Sequence, residues 1–148
     1  MLSDATLWFG MPAERIVLFF DGVCALCNSW VDFLVRRDKR RQFRYAPLQG
    51  ETFKALLAAH PELAKYDSLI VVHDRTDGSQ EIHTHSRGPL FLASRLGGFW
   101  SLARAGFIIP GFLSDAIYRL VARLRYSLFG KRDACRLPSP EERELFLP

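Results

Sequence analysis

The sequence predicts an α/β domain, and three observations carry the prediction. Short apolar, β-rich runs alternate with stretches of helical period over the first hundred residues, in the order β-α-β-α-β-β-α. The chain has 148 residues, 49% of them apolar, which suits one domain with its own core. Two cysteines spaced C-x-x-C fall at the junction of the first strand and the first helix. No repeat, low-complexity tract or flexible linker divides the chain. Residues 1–148 therefore read as a single domain, with 1–14 a loose N-terminal arm and 99–148 a helical extension.

In the arm, Leu7, Trp8 and Phe9 could dock on the body. Ile16 to Phe20 is a continuous apolar run, as expected of a strand buried on both faces. Asp21-Gly22 is turn chemistry, and a helix starts near Cys24 or Ala25 and ends in the charged cluster Arg36 to Arg41. Gln42 to Ala46 alternates, Phe43 and Tyr45 against Arg44, and Pro47 stops it. Thr52 to His60 sets Phe53, Leu56 and Leu57 on one face of a short helix. Ser68 to His73 and Gln80 to His85 flank Asp77-Gly78 as the strands of a hairpin. Ser86 can cap a helix running to Leu96, with Gly97-Gly98 as its stop. Phe99 to Ala105 reads as a further short helix. Phe112 to Leu128 is the cleanest amphipathic one: Leu113, Ile117, Leu120, Val121, Leu124 and Leu128 face one way, Asp115, Arg119 and Arg123 another. Ser139-Pro140-Glu141-Glu142 is a capping box with proline at the first helical position, so a short final helix is expected.

The chemistry sits at Asp21-Gly22-Val23-Cys24-Ala25-Leu26-Cys27-Asn28. The reactive form of cysteine is the thiolate, and a helix N-terminus favours an anion through its unpaired N–H groups and its dipole. Cys24 in the first turn should have its pKa lowered from ~8.5 into the range of roughly 3.5–7.5. Cys27, with Trp30, Val31 and Leu34, keeps the spacing of a buried helical face. Cys24 is then the exposed nucleophile, and Cys27 the shielded thiol that resolves a mixed disulfide. Asp21 has two readings: an acid/base group for Cys27, or a residue that caps the helix start and fixes the turn. C-x-x-C alone also serves zinc. Its position between an apolar strand and an amphipathic helix favours redox chemistry.

The sequence resembles the DCC family of thiol-disulfide oxidoreductases, named for an Asp and two Cys that match Asp21, Cys24 and Cys27. The match extends through Asn28, Trp30, Arg36-Arg37-Asp38 and Phe43-Arg44-Tyr45. It resumes at Arg125-Tyr126, Phe129-Gly130-Lys131-Arg132 and Cys135-Arg136-Leu137-Pro138. The resemblance implies a thioredoxin-like β-α-β-α-β-β-α core with a C-terminal helical extension, and a dithiol redox role that needs no cofactor. Its partners would be a disulfide-containing protein or small thiol substrate and an external redox partner. One stretch departs from the thioredoxin pattern. Thioredoxins place a cis-proline just before the third core strand, where this chain has Tyr66-Asp67-Ser68. The segment that presents backbone to a substrate must be built differently.

Other residues have plainer readings beside functional ones. Cys135, in a basic loop, is an auxiliary resolving thiol or a packed structural cysteine. Cys24, Cys27 and Cys135 with one of His60, His73, His83 or His85 would make a Cys₃His zinc set, but no second C-x-x-C or H-x₃₋₅-H accompanies them. The alternative to an enzyme is thus a zinc-binding or redox-sensing interaction domain built on the same cysteines. His83 and His85 share a strand face by alternation. Trp30, Phe33, Trp100, Phe107 and Phe112 read as packing. The net charge of +4 comes from scattered basic runs, which read as solvated faces and not as a nucleic-acid site. Met1 to Ala13 lacks the pattern of a signal peptide, and no apolar run reaches the ~18 residues of a membrane span. The expected location is cytoplasmic.

Overall fold

The computed structural model describes residues 14–66, 69–130 and 138–148. Four strands form one sheet: β1 (Arg15–Phe20), β2 (Phe43–Pro47), β3 (Ile70–Asp74) and β4 (Gln80–Thr84), in the order β2-β1-β3-β4. β1 runs parallel to β2, with Phe20 opposite Pro47, and antiparallel to β3, with Leu18 opposite Val71. β3 and β4 form the hairpin expected around Asp77-Gly78. Gly78 takes φ +86, which an L side chain rarely adopts. The helices are α1 (Ala25–Arg37), α2 (Glu51–Ala59), α3 (Arg87–Arg95) and α4 (Gly111–Phe129). Short 3₁₀ segments cover Pro61–Lys65, Gly98–Ile108 and Arg143–Leu145. This is the predicted thioredoxin-like order and topology.

The strand period of two divides β1 between two cores. Ile16, Leu18 and Phe20 pack with Val31 and Leu34 of α1 and Leu92 of α3. Val17 and Phe19 point the other way, to Phe53 and Leu56 of α2 and to Leu63. The sheet is therefore covered on both faces, and β1 is buried on both, as its continuous apolar run requires.

That leaves α4 no sheet face to cover. It lies instead across the end of the sheet where β1, β2 and β4 finish and β3 begins. Three contacts fix it there. Asp115 accepts a hydrogen bond from Ser86 Oγ at 2.7 Å, after β4. The Tyr118 hydroxyl accepts from Leu69 N–H at 3.2 Å, before β3. Arg125 lies 3.5 Å from Asp21, after β1. The side of α4 that carries Asp115, Tyr118, Arg125 and Tyr126 thus faces the body, Arg119 and Arg123 are exposed, and the aliphatic side, Leu113 to Leu128, is 40% to 68% exposed.

Several expectations need correction on these grounds. Phe112 is 79% exposed and Phe107 is also exposed, so neither is core packing. Ser86 does not cap α3, because its hydroxyl is spent on Ser114 and Asp115. β4 ends at Thr84, and His85 takes φ +54, so His83 and His85 do not share a strand face. His83 stacks on Phe91, while His85 meets Tyr66 and Tyr118 edge-on. Half of the C-terminal capping box forms, Ser139 N–H donating to Glu142 at 3.2 Å, but only one 3₁₀ turn follows. The tail then runs along β2, where Leu147 N–H donates to Tyr45 O at 2.7 Å.

Among the described residues, no single helix is long and apolar enough to cross a membrane. Gly98–Ile108 and Gly111–Leu128 together have the length and apolar content of a broken span, bent by 112°. Apart from Glu14, the N-terminal arm lies outside the described residues.

Candidate active site

The turn from β1 into α1 is fixed by its own polar groups. Asp21 Oδ1 accepts Val23 N–H at 3.2 Å, and Gly22 N–H donates to Gln49 Oε1 at 3.2 Å. Asn28, fully buried, donates its amide to the carbonyls of Gly22 (2.9 Å) and Cys24 (2.8 Å). Cys24 is the cap of α1: its Sγ accepts Cys27 N–H at 3.4 Å. A sulfur stands where helices usually place a Ser or Asp oxygen, so the free N–H groups and the dipole act on it directly.

The two thiols differ in their surroundings. The Cys24 thiol is lowered to about 6. The hydrogen bond from the Cys27 thiol is the main cause, and the Cys27 N–H and the Arg125 charge add to it against the opposing effect of burial. The same contact, then burial, pushes Cys27 up. One expectation is overturned. Cys24 is not exposed: it is 0% accessible and Cys27 4%, and both are free thiols. Both pack in the core cluster of β1, α1 and α3, with Tyr126 of α4 against the same cluster.

Asp21 holds the C-terminal end of α4 in place. Its Oδ2 accepts the Tyr126 hydroxyl and faces Arg125, and its Oδ1 also accepts from Gln49 Nε2 at 2.9 Å. Arg125 is 3% exposed and donates to Tyr126 Oη at 3.1 Å. Burial, then the bond to Asp21, raises the Tyr126 phenol. Ala25 N–H meets Gly130 O at 3.4 Å beside them. Asp21 therefore ties β1 to α4 and braces the turn, while Cys24 caps the helix. Sequence reasoning assigned no task to Gln49, Arg125 or Tyr126. The available signal was Arg125-Tyr126 itself, a cation and a phenol on the side of α4 away from its leucines.

A cavity of about 180 Å³ lies between α1, α3 and α4, with Cys27 in its wall. Cys135 lies outside the described residues. Among the described residues no group of three His, Cys, Asp or Glu side chains could hold a metal ion. His60 meets Glu62 and Gln80, and His73 meets Glu14.

A four-stranded sheet with a C-x-x-C capping the helix after its first strand defines a dithiol protein of the thioredoxin-like class. Comparison with known proteins agrees. The DCC1-like thiol-disulfide oxidoreductase family matches residues 18–131, and the chain belongs to that family. It is 35% identical over 142 residues to the uncharacterised protein YuxK of Bacillus subtilis, covering 93% of this chain and all of that one. It is also 35% identical over 125 residues to a DCC family protein of Arabidopsis thaliana described as chloroplastic, covering 84% of this chain and 70% of that one. No solved structure matches the chain.

Proposed function

We propose that the protein is a thiol-disulfide oxidoreductase in which Cys24 attacks and Cys27 resolves. The observation that carries this reading is the asymmetry of the pair. Cys24 receives both hydrogen-bond donors of Cys27 and is lowered to about 6, so it is mostly thiolate at neutral pH, while Cys27 keeps its proton. The Cys24 thiolate attacks one sulfur of a substrate disulfide, and the other sulfur leaves as a thiolate. Cys27 then attacks Cys24 Sγ of the mixed disulfide. Its proton goes to the departing substrate thiol, and a Cys24–Cys27 disulfide remains. The substrate gains the two electrons that the dithiol loses. The family name supports this class of reaction.

Burial of both thiols adds a requirement: the end of α4 lifts before exchange. Asp21, Arg125 and Tyr126 are positioning residues in this scheme. A stabilised thiolate favours the reduced state of the pair, and the midpoint of the redox equilibrium measures by how much. The test is equilibration with glutathione buffers, with the Cys24–Cys27 disulfide quantified by mass. A reversible two-electron transition, abolished by Cys24→Ser or Cys27→Ser, is the expected result. A disulfide that forms without turnover of any substrate would instead mark a redox switch, and no disulfide with zinc bound would mark a metal site.

A further inference from the structure

The cavity beside the dithiol has a composition that selects its occupant. Leu26, Trp30, Leu69, Pro89, Val121 and Ala122 give it carbon walls, and Cys27 forms part of one side. Among the described residues its one charged wall group, Arg125, is engaged with Asp21 and Tyr126. The cavity is open to solvent on one side, and its volume of about 180 Å³ has room for a group of benzene's size. Tyr118 also lines it, and its hydroxyl already bonds Leu69 N–H. That backbone donor is therefore taken, which leaves the carbon walls to make the contact.

We propose that this cavity is a substrate subsite for an uncharged apolar group, of the size of a phenylalanine or leucine side chain, carried next to the sulfur that exchanges with Cys24. The proposal rests on the redox reading above for its chemistry, but the cavity's occupancy does not. Cys27 is shared between the cavity wall and the thiol pair, so a group lodged there holds its own sulfur at the exchange site. The occupant also sits between α1, which carries Cys27, and α4, which holds Asp21 through Arg125 and Tyr126. The apolar group has two sources: a residue flanking cysteine in a polypeptide, or the carbon skeleton of a small disulfide.

Two measurements test this. The first is binding without chemistry: N-acetyl-phenylalaninamide is titrated against the wild-type protein by NMR, with N-acetyl-serinamide as control. Saturable shifts of the Trp30 indole N–H and the Ala122 amide with the phenylalanine amide alone are expected, and loss of the Trp30 shift in Ala122→Phe. The second is the rate of mixed-disulfide formation at Cys24 in Cys27→Ser, with disulfides of Phe-Cys and Ser-Cys dipeptides and with dibenzyl disulfide. The Phe-Cys disulfide should react at least about tenfold faster than the Ser-Cys one, the scale of apolar-pocket discrimination. That ratio should collapse toward one in Ala122→Leu. A matching gain with dibenzyl disulfide assigns the site to small disulfides as well, and its absence to polypeptides. Shifts that are absent, or that fall outside the cavity, overturn the subsite. So do equal rates for the two dipeptide disulfides. Shifts at the cavity with no reaction at Cys24 sustain the subsite and sink the redox reading instead.

Discussion

At the residue scale, the C-x-x-C pair works because its sulfurs have different neighbours. Cys24 stands at the helix start and accepts from Cys27, so its reactivity toward iodoacetamide should rise with pH through a midpoint near 6. The direction follows from the thiolate being the reacting form, populated above that value. In Cys27→Ala the donor is gone, and the midpoint should move up toward the ordinary ~8.5. Arg125 is the second test. Arg125→Leu leaves the buried Asp21 carboxylate without its cation, at a cost of about 3–5 kcal/mol in urea denaturation. It also removes a charge that favours the Cys24 thiolate, so the alkylation midpoint should rise in that variant too. Asp21, Cys24 and Cys27 were legible in the sequence. The Gln49, Arg125 and Tyr126 contacts were not, because they join positions 28, 104 and 105 residues away from Asp21 or its neighbours only through the fold.

At the element scale, α3 and α4 show how period and burial can part company. Leu92 of α3 is fully buried against β1 and α1, so Leu92→Ala should cost about 2–5 kcal/mol. Phe112 of α4 is 79% exposed, and Phe112→Ser should change stability by no more than about 0.5 kcal/mol. The same urea titration reads both. Hydrophobic spacing identified α4 as a helix, and the side that docks is not its apolar one. Its docked side is chosen by three polar anchors at Ser86, Leu69 and Asp21, and hydrophobic period carries no information about those. For the strands the reading was more complete. A continuous apolar run cannot face water, so Ile16 to Phe20 had to lie between two layers.

At the scale of the whole molecule, the C-terminal tail closes the β2 side of the fold. Leu145 and Leu147 are buried, one in each core, and Thr52 N–H donates to Pro148 O at 2.8 Å. Deleting residues 145–148 should lower stability by roughly 1.5–3 kcal/mol for each leucine, read as a lower thermal midpoint. The cysteine pair depends on the other end of the chain. Asp21, in the turn that leads to Cys24, is held by Arg125 and Tyr126 of the extension, so the setting of the thiols and the integrity of the C-terminal third are linked. Limited cleavage or mutation there should change Cys24 access before it changes the sheet.

The sequence by itself determined the order of elements, the α/β class and the pair of cysteines at a helix start, because hydrophobic period, turn residues and capping act over a few neighbours. Tertiary structure alone decided that Cys24 is covered, that Asp21 binds α4 instead of capping α1, and that a carbon-lined cavity adjoins Cys27. Each of these is a meeting of segments far apart in the chain, at the end of a sheet whose two faces are covered by other elements.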